Sequence, residues 1–182
     1  MAGNGRKDAP RNRGAGAVFW LMVLVVMLVL LDLTAEGVYA SDFYTAPDGT
    51  KYNKHDYERL KAFLEQQNGG VKNGNKIEEE GKTYKPEDPG TWGGVTWSSD
   101  EPKRVVKIIW ADKDLVGNLD LSECTALQEL FCNKNKLSSL SVRNCNSLVR
   151  LSCYENQLTN LDLSGCSGLM ILSCDNNLLW PL

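Results

Sequence analysis

The C-terminal half of the chain repeats itself every 21 residues, and a fixed period of that size decides the architecture before any local propensity is weighed. Leu127-Gln-Glu-Leu130-Phe-Cys132-Asn-Lys-Asn135-Lys-Leu137 returns as Leu148-Val-Arg-Leu151-Ser-Cys153-Tyr-Glu-Asn156-Gln-Leu158. It returns again as Leu169-Met-Ile-Leu172-Ser-Cys174-Asp-Asn-Asn177-Leu-Leu179, without insertion. One step back, Val106, Ile109, Ala111, Asp114 and Val116 fall in the same columns as a degenerate copy. A weaker echo fills the rest of each unit: Leu137, Leu140, Val142 and Cys145 are spaced like Leu158, Leu161, Leu163 and Cys166. Each Leu-x-Cys or Leu-x-Leu segment reads as a short strand with alternate side chains turned inward. One coil cannot bury its own apolar edge, so the coils must stack.

The pattern LxxLxCxxNxLxxLDLxxxxx resembles the leucine-rich repeat, in the short nested form found in bacteria. Upstream, Asp56 is placed to cap a helix whose apolar positions Tyr57, Leu60, Phe63 and Leu64 share one face, with Gly69-Gly70 closing it. A polar loop with Glu78-Glu79-Glu80 follows, then Trp92-Gly93-Gly94-Val95-Thr96-Trp97 and Arg104-Val105-Val106-Lys107-Ile108-Ile109. That order is similar to the N-terminal cap of extracellular leucine-rich repeat proteins. Trp97 stands where plant receptors carry a cap cysteine, so their disulfide is missing. The resemblance spans residues 54–182. It implies an α+β, mostly β solenoid, a right-handed coil with a helical N-terminal cap. The expected organisation is a leader over 41–55, a cap over 56–105 and repeats over 106–182. The last repeat stops at Leu182, in the column of Leu161 and Leu140. An uncovered apolar end that drives self-association is therefore expected, unless the chain continues, a partner covers it or Trp180-Pro181-Leu182 folds back as a lid.

The first forty residues read differently. Arg6, Lys7, Arg11 and Arg13 precede an apolar run from Ala15 to Leu31, and Val38-Tyr39-Ala40 offers a cleavage site. Basic region, apolar core and small residues in that order predict a secretory signal peptide over 1–40. An uncleaved membrane anchor is the competing reading, and membrane attachment is expected only in that case. No cysteine follows the run to carry a lipid.

Composition narrows the chemistry. A net charge of -3 argues against nucleic acid as a partner, and a single histidine, His55, rules out a histidine-rich metal site. The six cysteines fall into two columns, Cys124, Cys145, Cys166 and Cys132, Cys153, Cys174, spaced by the repeat period. Neighbours in a column lie one strand spacing apart with parallel Cβ directions, which favours buried thiols over disulfides. No CxxC is present, so tetrahedral zinc has little support. Asn135, Asn156 and Asn177 are expected to turn inward and satisfy backbone groups of adjacent coils. Asp112 and Asp114 lack the rest of a calcium loop. No nucleophile elbow, zinc-protease motif or phosphate loop occurs, so neither an enzyme nor a cofactor is expected.

What remains is recognition. Alternation places Ile108, Trp110 and Asp112 outward on the first strand, then Glu129, Phe131 and Asn133, then Arg150, Ser152 and Tyr154, then Ile171, Ser173 and Asp175. The second strands offer Asn118, Asp120, Ser122 and their equivalents, with no aromatic residue. Trp110, Glu129, Phe131, Arg150, Tyr154 and Asp175 are thus the expected binding residues, and the partner a protein met in secretion or at the cell surface. The competing reading is a structural spacer or a fragment of a larger surface protein, without a ligand of its own.

Overall fold

The structure, a computed structural model, describes residues 42–179; residues 1–40, expected to form a signal peptide or anchor, and Trp180-Pro181-Leu182, considered above as a lid, lie outside the described residues. Antiparallel strands β1 (Phe43–Thr45) and β2 (Lys51–Asn53) form a hairpin where a leader was expected. Helix α1 (Lys54–Leu64) follows at once. Its N-cap is Asn53, whose side chain accepts from the Asp56 amide at 3.1 Å, rather than Asp56 itself. The expected apolar stripe does form, with Tyr57, Leu60, Phe63 and Leu64 all buried. Tyr44 of the hairpin stacks on Tyr57 at 3.8 Å and joins the hairpin to the helix.

Gly69 and Gly70 do not end α1; they turn the small hairpin of β3 (Gln67–Asn68) and β4 (Val71–Lys72). A single turn, α2 (Asn73–Lys76), and a 3-10 turn (Pro89–Thr91) lead into β5 (Val95–Trp97). The chain then winds into two parallel sheets. The first is ordered β12-β10-β8-β6-β5, where β6 is Val105–Ile109, β8 Glu129–Phe131, β10 Arg150–Ser152 and β12 Ile171–Ser173. The second is ordered β11-β9-β7, with β7 Val116–Asp120, β9 Lys136–Ser141 and β11 Leu161–Asp162. The result is a parallel β-solenoid of about three turns, closed at one end by the antiparallel β5. Leu127, Leu130, Leu137, Leu148, Leu151 and Leu158 stack as its core, as the repeat columns require.

The degenerate first copy sits one residue away from the expected register. Lys107, Ile108 and Ile109 pair with Glu129, Leu130 and Phe131, a displacement of 22. Val105, Ile108, Trp110 and Leu115 are consequently the core residues, and Ile109 is 49% exposed. The extra residue is absorbed at Gly117, where the β7–β9 register shifts and φ is +87°. A one-residue slip turns every strand side chain to the other face. Ile108 and Trp110, read as outward, therefore point into the core. Trp110 is fully buried, stacks on Phe63 at 5.5 Å and donates from Nε1 to Gly93 O at 2.8 Å. Its large ring fills the place where later coils carry Cys, next to the helix that covers this end.

The outer edge of β7 is satisfied by side chains from α1 and its neighbours. Gln66 accepts from Asn118 N at 2.9 Å and donates to Asn118 O at 2.8 Å. Asn73 does the same for Val116, at 3.1 and 2.9 Å. His55 Nε2 lies 2.8 Å from Ser122 O, and Arg59 pairs with Asp120. Two primary amides and an imidazole thus stand in for a neighbouring strand. Beneath them the fully buried Asp56 accepts from Arg104 Nε at 2.7 Å and from Val105 N at 3.0 Å, tying α1 to the first coil.

Candidate functional site

The outer face of the first sheet presents two rows of side chains, because successive parallel strands place equivalent residues side by side. The first row is Lys107, Glu129, Arg150 and Ile171. Glu129 sits between two cations, with Lys107 Nζ at 2.7 Å and Arg150 Nη1 at 3.0 Å. The hydrogen bond from Lys107, reinforced by the charge of Arg150, holds the Glu129 carboxyl below its ordinary range. At the surface such pairs contribute little stability, so the row matters more as a pattern of charge than as a brace.

The second row is Ile109, Phe131, Ser152 and Ser173. Lys107 Nζ lies 5.8 Å from the centre of the half-buried Phe131 ring, so the cation covers part of the aromatic face. In the turn beyond, Asn133 is buried and accepts from Ser152 Oγ at 3.2 Å, Tyr154 is half-buried and Asp175 is exposed. Of the expected binding residues, the structure brings Glu129, Phe131 and Arg150 together, places Tyr154 and Asp175 along one margin and removes Trp110 to the core. Lys107 and Ile109 are members of this face that the gapless 21-residue alignment missed. A signal for them was present: Val105-x-x-Ile108-x-Trp110-x-x-Lys113-x-Leu115 fits the repeat when one extra residue is allowed.

The other tempting residues have structural partners. Each asparagine of the column joins two coils. Asn156 accepts from Leu137 N at 3.0 Å and donates to Cys132 O at 2.9 Å and Cys153 O at 3.0 Å. Asn135 and Asn177 repeat the arrangement on Leu115 and Leu158. All six cysteines are free thiols. Cys145 and Cys166 each donate to a carbonyl of the preceding coil, Leu121 O and Val142 O. Burial pushes the Cys145 and Cys153 thiols up to about 12 and raises Cys132 well above its ordinary value. Asp114 pairs with Lys136 at 2.5 Å and with Lys76 at 3.6 Å, so its charge is already met.

Among the described residues, no group of three or more His, Cys, Asp or Glu is arranged to hold a metal ion, and no helix is long and apolar enough to cross a membrane. No protein-family model matches the chain, and no curated protein or solved structure matches it significantly.

Proposed function

We propose that the chain is an exported leucine-rich repeat binding module that recognises a protein through the outer face of its first sheet. The observation that carries this reading is the composition of that face. An exposed Ile109 and a half-buried Phe131 lie beside the Lys107–Glu129–Arg150 row, with Tyr154 at the margin. Aromatic and arginine side chains anchor protein interfaces, while flanking charges set register and encounter rate. A sheet held by an inner asparagine column presents them with little freedom to lose on binding. The 21-residue motif and the helix that precedes it support the family assignment and the capped architecture. The basic and apolar N-terminal segment supports secretion or a place at the cell surface.

The test uses residues 41–182 as bait and a variant carrying Phe131→Ala and Tyr154→Ala, with circular dichroism confirming equal folding. A partner captured by the unsubstituted bait should lose ~2 kcal/mol or more of binding to the variant. Capture by both at equal affinity would move recognition to another surface. No saturable partner for either would favour the spacer.

A further inference from the structure

Among the described residues the dipeptide Asn-Gly occurs twice, at Asn68-Gly69 and at Asn73-Gly74. An asparagine followed by glycine can lose its side-chain amide without an enzyme. The glycine backbone nitrogen gives its proton to solvent base and attacks the asparagine Cγ, and the side-chain nitrogen leaves as ammonia. Water then opens the resulting succinimide at one of its two carbonyls, leaving aspartate or isoaspartate. Glycine favours the attack because it has no Cβ to restrict its backbone. The asparagine side chain must also be free and the local backbone able to leave its native dihedrals, so structure decides which pair reacts.

The two pairs meet opposite conditions. Asn68 closes the hairpin of β3 and β4 opposite Val71, with Gly69 and Gly70 turning it at φ +60° and +80°. Residues 67–71 are all exposed, and a Cβ at either glycine would meet nothing within 4 Å. The Asn68 side chain has no hydrogen-bond partner among the described residues. Two residue pairs hold this hairpin, too few to keep it closed on their own, so it opens without the rest of the molecule. Asn73, in contrast, is fully buried at the start of α2. Its Nδ2 donates to Phe63 O at 3.1 Å and to Val116 O at 2.9 Å, and its Oδ1 accepts from Val116 N at 3.1 Å. The buried Tyr84 ring packs on Gly74 so closely that a Cβ there would fall 2.4 Å from it. Glycine is thus required by packing at 74 and by the turn at 69, and the fold retains both reactive pairs.

We infer that Asn68 and Asn73 are deamidation sites gated by the fold: Asn68 converts in the native protein, whereas Asn73 converts only after α1 and α2 part from β7, and its product bars their return. An aspartate at 73 keeps an acceptor for Val116 N but loses the donor, and its charge faces Phe63 O and Val116 O. A buried carboxylate set against two carbonyls costs far more than the amide it replaces. Isoaspartate in addition lengthens the backbone by one carbon at the first residue of α2. Conversion at Asn68 leaves its new charge in solvent and disturbs only the small hairpin. None of this rests on the proposed recognition face.

The test incubates the full chain in detergent solution at pH 8, with and without guanidinium chloride. Trypsin cuts after Lys72, between the two pairs, so mass spectrometry reads the amide-to-acid conversion of each separately. In native buffer Asn73 should convert about 100-fold or more slowly than Asn68, because its reaction waits for the folded core to open. In denaturant the two rates should become comparable. Equal native rates, an Asn73 rate that denaturant leaves unchanged, or an Asn68 that reacts only in denaturant would each overturn the gating. Two variants then test the products. Asn68→Asp should keep the unsubstituted urea midpoint, and Asn73→Asp should lower it or fail to fold. An Asn73→Asp chain as stable as the unsubstituted one, or an Asn68→Asp chain as destabilised as Asn73→Asp, would overturn the bar to closure. The rates are read on the unsubstituted chain, so they decide the gating even where Asn73→Asp does not fold.

Discussion

Single residues hold the coils in register. Asn156 is wholly enclosed by backbone partners on two coils, and Leu137 N has its only side-chain acceptor there. Asn156→Ala should destabilise the protein by about 3 kcal/mol, since a buried donor left without a partner costs about 1–3 kcal/mol and a cavity adds to it. Asn160→Ala, on the exposed surface, should change the urea midpoint little. The thiols grade along their columns in the same way. Cys132, Cys145 and Cys153 are buried and their ionisation is suppressed, whereas Cys166 and Cys174 are partly exposed. Timed alkylation at pH 8 followed by mass spectrometry should modify Cys174 and Cys166 first and the other four only on unfolding. Both columns were legible in the sequence, because their period is that of the backbone. The His55–Ser122, Asp56–Arg104 and Gln66–Asn118 contacts were not, because each joins residues whose proximity only the fold creates.

Among elements, the register shift between β7 and β9 shows where periodicity stops being informative. The chain needs one residue more between Leu115 and Leu119 than between Leu137 and Leu140, and Gly117 supplies it in a left-handed conformation beside the Gln66 amide. Gly117→Ala should cost about 1–3 kcal/mol through backbone strain and contact with Gln66. Gly81→Ala has a similarly positive φ of +78° but open space around it, so the difference between the two variants in denaturant unfolding isolates the contact. Hydrophobic pattern alone could not locate this insertion. Val105, Val106, Ile108 and Ile109 are apolar on both faces of β6, so either register is plausible until the strand is paired. For α1 the stripe was readable and the cap was not, since Asn53 and Asp56 are both competent caps and the buried salt bridge to Arg104 claims the second.

At the scale of the whole molecule, stability in the described part should fall from the coils of β8 and β10 toward that of β12. Solenoids gain stability from nearest-neighbour interfaces, and among the described residues the coil of β12 has one such neighbour where the coil of β8 has two. Hydrogen exchange should therefore be fastest at Ile171–Ser173 and slowest at Glu129–Phe131; uniform protection would mean that the coils open as one unit. The aromatic side chains are distributed just as unevenly. Trp92, Trp97 and Trp110 all lie in or against the first coil, with Trp92 and Trp110 fully buried, and no tryptophan occurs from Ala111 to Leu179. The intrinsic emission of these three indoles consequently reports on one end of the molecule and is blind to the other. In a variant with Trp20 and Trp180, which lie outside the described residues, replaced by Phe, a melt followed by fluorescence would register the departure of α1 from the first coil, while far-ultraviolet dichroism would register the fraying of the distal strands, and the two midpoints need not coincide.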